Sequence, residues 1–214
     1  MAITYPLAMQ SRNPKAFTLK SRNVVGINTA PTSLVAQRYR WVGGERWEGE
    51  LNFGSEVGAN GRDIAGWLTS LLGAYGTFLA GDPSSATARG SAGVTPGTPV
   101  VSGSHSALSQ TLAISTGLGT VTGYLKRGDF ISLGSGSTRR LHQILHDLNL
   151  TAGAGTADIW PSLRTSYSNG TTVVVANTTA RFFMTSTPEW TVDKGGTNGS
   201  VYTFAPVSCV EDLS

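Results

Sequence analysis

Residues 47–53 read Trp-Glu-Gly-Glu-Leu-Asn-Phe. In an extended chain Trp47, Gly49, Leu51 and Phe53 fall on one side, and Glu48, Glu50 and Asn52 on the other. Successive side chains of a strand point to opposite faces, so this is the pattern of a strand with one face in a core. The stretch before it, 33–42, alternates too, with Val35, Gln37, Tyr39 and Trp41 on one side and Arg38 and Arg40 on the other. Gly43-Gly44 between the two runs suits a tight turn. The spacing predicts a β-hairpin over 33–54, with Tyr39, Trp41 and Trp47 facing inward. Its outer face would set Arg38 and Arg40 against Glu48 and Glu50.

Outward from this pair, residues 15–28 are extended and rich in β-branched types: Phe17, Leu19, Val24, Val25 and Ile27. Downstream lies the one good helix pattern, 61–72. Ile64, Trp67, Leu68, Leu71 and Leu72 follow the i, i+3, i+4, i+7, i+8 rule and form one apolar stripe. Asn60 is placed to cap its start, Asp63 favours its positive end, and Gly73 suits a left-handed stop. Such a helix needs a sheet to lie on, and the aromatic face of the hairpin is the expected one. Tyr75–Ala80 then reads as a short strand closed by Gly81-Asp82-Pro83.

From residue 84 the chain becomes small, polar and turn-rich, which marks the crossing into a second module. About six short strands follow between 110 and 176, including 110–115, 120–125, 130–133, 139–148 and 171–176. Their 8–12-residue spacing fits a small barrel or sandwich. Strand signals resume at Phe182–Met184, Glu189–Val192 and Val201–Phe204. The predicted class is therefore mainly β with one amphipathic helix.

Composition agrees. Gly, Ser and Thr make about a third of the 214 residues, and charged residues are 14%. Disordered chains carry more charge and fewer aromatics than this one. No apolar run is long enough to span a membrane, so no membrane anchor is expected. The net charge of +3 arises in residues 1–50, and no Lys/Arg cluster suggests nucleic-acid recognition. The start, Met-Ala-Ile-Thr-Tyr-Pro-Leu, lacks the basic and apolar regions of a secretion signal. Manufacture inside a cell is expected.

Chemistry-bearing patterns are weak. His142 and His146 are four apart, the spacing that puts two imidazoles on one helical face, but Gln143 stands where a zinc hydrolase has Glu. If the segment is a strand, the two lie roughly 13 Å apart, too far for one metal. No nucleophile elbow, phosphate loop or complete dinucleotide motif occurs, and the lone Cys209 has no histidine near it in sequence. Glu48 and Glu50 sit roughly 7 Å apart, a permissible spacing for paired carboxylates, though nothing in the sequence desolvates them. No enzyme activity, metal or cofactor is expected.

Taken together, several runs resemble the distal tail and minor tail proteins of long-tailed bacteriophages. They are Tyr5-Pro-Leu, the aromatic residues Tyr39, Trp41, Trp47 and Leu51, and Trp67-Leu-x-x-Leu-Leu72. Gly73-Ala-Tyr-Gly-Thr-Phe78 and Gly81-Asp-Pro83 follow. Lys126-Arg-Gly-Asp-Phe-Ile-Ser-Leu133, Leu141-His-Gln-Ile-Leu145, Asp158-Ile-Trp-Pro-Ser-Leu-Arg164 and Phe182-Phe-Met184 extend the likeness over most of the chain. The resemblance implies a structural subunit of the virion tail tip, made in the host cytoplasm. It would assemble as a homo-oligomeric ring, usually of six, between the tail tube protein and the hub and other tail-tip proteins. A β-sandwich with one helix, 1–83 with 180–214, would form the ring, and 84–179 would be an inserted β-barrel-like domain. Arg38, Arg40, Arg46, Glu48 and Glu50 are the candidate inter-subunit contacts, and loops 28–33, 54–60 and 84–99 the candidate contact arms. The alternative is a carbohydrate- or receptor-binding β-module, for which Trp160 and Trp190 would be the stacking platforms once Trp41, Trp47 and Trp67 are buried.

Overall fold

Alternating patterns and turn residues become strands along the whole chain. The computed structural model describes residues 3–9, 14–29, 35–195 and 199–214. The first elements are β1 (Ala16–Arg22), β2 (Val25–Thr29), β3 (Ala36–Arg40), β4 (Arg46–Asn52), β5 (Ser55–Val57), the helix α1 (Ala59–Ser70) and β6 (Thr77–Ala80). The second group is β7 (Val100–Val101), β8 (Thr111–Ser115), β9 (Val121–Leu125), β10 (Phe130–Leu133), β11 (Arg140–Ile144), β12 (Leu148–Leu150), β13 (Ala154–Trp160) and β14 (Val173–Val174). The last are β15 (Ala180–Met184), β16 (Trp190–Asp193), β17 (Val201–Phe204) and β18 (Val207–Glu211). The protein is mainly β.

A five-stranded antiparallel sheet runs in the order β1-β4-β18-β15-β6. Two strands from the end of the chain thus sit among three from its beginning. The run at 47–53 is central to this sheet. Trp47, Leu51 and Phe53 are buried as the alternation requires, and Leu51 faces Phe17 of β1 and Val207 of β18. A three-stranded sheet, β16-β17-β5, adjoins it. Helix α1 lays Ile64, Trp67 and Leu68, and its C-cap Leu71, into the same core as Phe78, Phe182 and Phe204. Each such side chain contributes roughly 2–3 kcal/mol of gross burial.

The predicted hairpin over 33–54 does not form. β3 pairs with β2, from Val25↔Arg40 to Thr29↔Ala36, while β4 pairs with β1 and β18. Residues 33 and 34 lie outside the described residues. Period two reports that a strand has two unlike faces, but not which strand lies beside it. Here β1 supplies Phe17 and Leu19 to the core that holds Trp47 and Leu51, and no residue of β3 belongs to it.

The helix also departs from expectation at both ends. It starts at Ala59 with Gly58 as its N-cap, so Asn60 lies inside the first turn. Leu72 is outside the helix, 61% exposed, in a left-handed conformation with Gly73. The stripe thus ends at Leu71, one residue earlier than the spacing predicts, because the chain reverses direction there.

Residues 84–179 build around a separate core that includes Leu112, Ile114, Tyr124, Ile131, Leu133, Ile144 and Ile159. Its six-stranded sheet has the order β14-β10-β11-β13-β8-β7. Val100 bridges to Thr172, Val173 N donates to Pro99 O at 2.9 Å and Val101 N to Thr171 O at 2.8 Å. These bonds join the two outer strands, and the sheet curls into a near-barrel.

Candidate functional site: an exposed ribbon on a buried polar junction

The two halves of the molecule meet at Trp47 and Trp160, whose rings cross edge-to-face at 4.4 Å. Both indoles spend their N–H on this seam. Trp47 Nε1 donates to Leu141 O at 2.9 Å, and Trp160 Nε1 donates to Asn23 Oδ1 at 2.9 Å. Asn23 stands between β1 and β2, so the second bond pins the point where the chain leaves the sheet.

Charged side chains are buried around this seam. Glu45 Oε2 accepts hydrogen bonds from Ser162 N at 3.2 Å and Ser162 Oγ at 2.7 Å, while Glu45 Oε1 lies 3.6 Å from Arg40 Nε. Arg164 donates to Gly43 O. Glu211 Oε2 accepts from Trp47 N at 3.1 Å. Burial pushes the Glu211 carboxyl up to about 7, against the Trp47 N–H and the charges of Arg164, Arg140 and Arg46, which pull it down. Burial likewise pushes His142 down to about 4, helped by Arg164 and Arg140 and opposed by the bond between its Nδ1 and Pro161 O. Removing one partner from such a group leaves the other uncompensated.

From this anchored base the β2–β3 ribbon projects. Asn23 is tied to Trp160, and Gly43, at φ +88°, turns the chain back toward β4. Between these points, among the described residues, the two strands pair only with each other. On one face Val25 and Ile27 stand beside Arg40 and Arg38. On the other, Tyr39 lies across Gly26, where a Cβ would come within 2.1 Å of the ring, so the glycine makes room for the aromatic. Ile27 is 66% exposed, Tyr39 60% and Trp41 70%. Neither face of the ribbon belongs to a core formed by the described residues.

The candidate contact residues are thereby dispersed. Arg38 is on the ribbon and exposed, and Arg40 reaches back to Glu45. Arg46 Nη2 lies 3.1 Å from Glu48 Oε1 on the same strand. Glu48 faces Lys20 and Glu50 faces Thr18 across β1. The expected match of Arg38 and Arg40 with Glu48 and Glu50 is therefore absent, because their strands are not paired. Tryptophan burial is corrected as well: Trp41 is exposed and Trp160 buried, the reverse of expectation. Glu45, Glu211, Ser162 and Arg164 escape sequence reasoning altogether. Glu45 and Ser162 are 117 residues apart, and no local pattern marks a charge that tertiary packing will bury.

Other chemistry-bearing residues have structural roles. His142 is buried on β11, whereas exposed His146 sits 3.1 Å from Asp158. Asp129 accepts from Lys126 N at 2.8 Å and from Arg89 Nε at 2.9 Å, which clamps the 126–129 turn beside a cleft of about 740 Å³. Cys209 is buried, and burial first, then Glu50, pushes its thiol up to about 12. Among the described residues no three His, Cys, Asp or Glu side chains are grouped to hold a metal ion. Among them, too, no helix is long and apolar enough to cross a membrane. No protein-family model matches the chain, and no curated protein matches it.

Proposed function

We propose that this chain is a structural component of a bacteriophage tail tip, a distal tail protein whose copies form a ring joining the tail tube to the hub and fibres. The observation that supports this reading is the β2–β3 ribbon. A two-stranded hairpin alone is marginal in water, and open strand edges invite pairing with another chain. A monomeric protein has reason to hide Ile27, Tyr39 and Trp41, whereas a subunit that ends up between neighbours has reason to hold them out. The anchored base serves the same end, since an arm that must meet a partner loses less entropy when its root is already fixed.

In this reading the five-stranded sheet, α1 and the β16-β17-β5 sheet make a sandwich-like ring domain. The near-barrel of 84–179 projects from it, and the assembled copies, six in a ring, contact the tail tube protein above and the hub below. A glycan-binding module would gather exposed rings in one groove. Here Trp47, Trp67 and Trp160 are buried, exposed Trp41 stands at the end of the ribbon, and Trp190 is the one tryptophan lining the apolar groove beside β16, so the accessible rings are not gathered in that groove. The tail-tip reading is tested by electron microscopy of virions that carry a tagged copy of this chain. Label confined to the tail tip is expected; label elsewhere, or none in virions, overturns it.

A further inference from the structure

Among the described residues a second strand edge is left unpaired. β16 is an outer strand of the β16-β17-β5 sheet, with Thr191, Val192 and Asp193 exposed. Beside it lies an apolar groove of about 600 Å³, lined by Pro188, Trp190, Phe204 and Ala205, with exposed Glu189 at its rim. Two carboxylates flank the strand, Glu189 before it and Asp193 at its end, with Lys194 following. The ribbon is the reverse: Arg38 beside Ile27 and Arg40 beside Val25. Arg40 is already engaged with Glu45, but Arg38 has no acidic partner among the described residues of its own chain.

Within one copy the ribbon and β16 belong to different sheets. We infer that β3 of the β2–β3 ribbon of one copy adds to the β16 edge of a second copy, with Arg38 against Glu189 and Asp193 on one face of the joined sheet, and Tyr39 over Val192 and the neighbouring groove on the other. This deepens the tail-tip reading and rests on its premise that copies of the chain meet one another. Backbone pairing between edge strands supplies the contact, the charges set partner and register, and the groove takes the Tyr39 ring. Two strands and three become one sheet across the boundary. Because the two surfaces differ, every copy offers one of each, and the contact propagates from copy to copy until it closes.

The test is sedimentation velocity of the full chain over a concentration series. Three variants accompany it: Arg38→Glu, the pair Glu189→Lys with Asp193→Lys, and the triple combination. The wild type is expected to form species larger than a dimer. Arg38→Glu and the double variant should each weaken association about tenfold or more, and the triple variant should recover it, because both signs are then exchanged. All three positions are exposed, and recovery in the triple variant shows that the weakened chains are folded. A wild type that is monomeric throughout, or association indifferent to the reversals, overturns the inference. Tail-tip label in virions together with indifferent association overturns this inference and leaves the tail-tip reading standing. Association as expected without label in virions does the opposite.

Discussion

β3 and β4 are neighbours in sequence, alike in pattern and opposite in fate. Each alternates aromatic or aliphatic residues with charged ones. In β4, Trp47, Gly49 and Leu51 are buried in turn, whereas every residue of β3 is exposed. The difference lies in their surroundings. β4 has a strand on each edge and a helix-bearing core against one face, while β3 has, among the described residues, the single partner β2. Alternation prepares a strand for burial, and burial itself depends on what the rest of the chain brings to its face. The ribbon keeps the pattern of a core strand without a core formed by the described residues.

The sharpest way to break this comparison is to truncate one apolar residue on each strand and follow chemical denaturation of dilute protein. Leu51→Ala should cost about 2–5 kcal/mol, the range for a fully buried leucine. Ile27→Ala should stay within about 0.5 kcal/mol, as for surface changes that touch no cap, core or network. Comparable costs at the two sites would mean that the ribbon is packed in the isolated chain.

A second measurement asks how far the buried charges beneath the ribbon govern stability. The Glu211 carboxyl titrates at about 7 in the folded chain, above its ordinary 4.5. Its contribution to stability is therefore fully present below pH 4.5, is lost as pH rises through the window up to about 7, and is gone above it. At most about 3 kcal/mol is involved, because each tenfold change in proton affinity is worth roughly 1.4 kcal/mol. Glu211→Gln keeps an acceptor for Trp47 N–H and removes the titration. Measured against wild type, the variant should gain stability between pH 4.5 and 7, and the difference should be level above that. His142, lowered to about 4, acts the other way: its contribution is lost as pH falls from 6.5 to about 4. It is common to both chains and drops out of the difference. A difference flat across the window would show that the neighbouring arginines hold Glu211 ionised throughout.

Ser162→Ala probes the same seam more gently. It removes the hydroxyl that donates to buried Glu45 and leaves the Ser162 N–H in place. A loss of about 1–3 kcal/mol in chemical denaturation is expected. The smallest effect belongs to the ribbon itself. Amide hydrogen exchange of dilute protein should show β2 and β3 exchanging well before β4, because their outer edges meet solvent. Equal protection would require the ribbon to be covered already.

Much of the fold is legible along the chain. The strand at 47–53, the helix stripe from Ile64 to Leu71, and the short strands of 110–176 and 180–204 announce themselves by period and punctuation. Burial of Trp47 and Trp67 follows from their place in those patterns. The position of Leu72 beyond the helix is not legible, because its φ of +52° belongs to the turn after the helix, where Gly76 N donates to Leu71 O, and the apolar spacing does not mark it. The exposure of Tyr39 and Trp41 is equally hidden. Their alternation matches that of a buried strand, and what makes them a surface is that no described part of the chain covers them. Trp160 illustrates the converse, buried by Trp47 and Asn23 from far away in the sequence.

The sequence by itself determined the mainly β class, the strand at 47–53 with its apolar face and the place of the one helix, because period and turn chemistry act over a few residues; it did not mark β18, the strand β5 inside the expected loop 54–60, or the break of 139–148 into β11 and β12. Tertiary structure decided which strands became neighbours, and so which apolar faces found a core. It also decided that the Glu45 and Glu211 carboxyls would be buried and that, among the described residues, β2 and β3 would pair only with each other. Pairing and desolvation depend on residues outside any local window, some more than a hundred positions apart, and no local pattern carries that information.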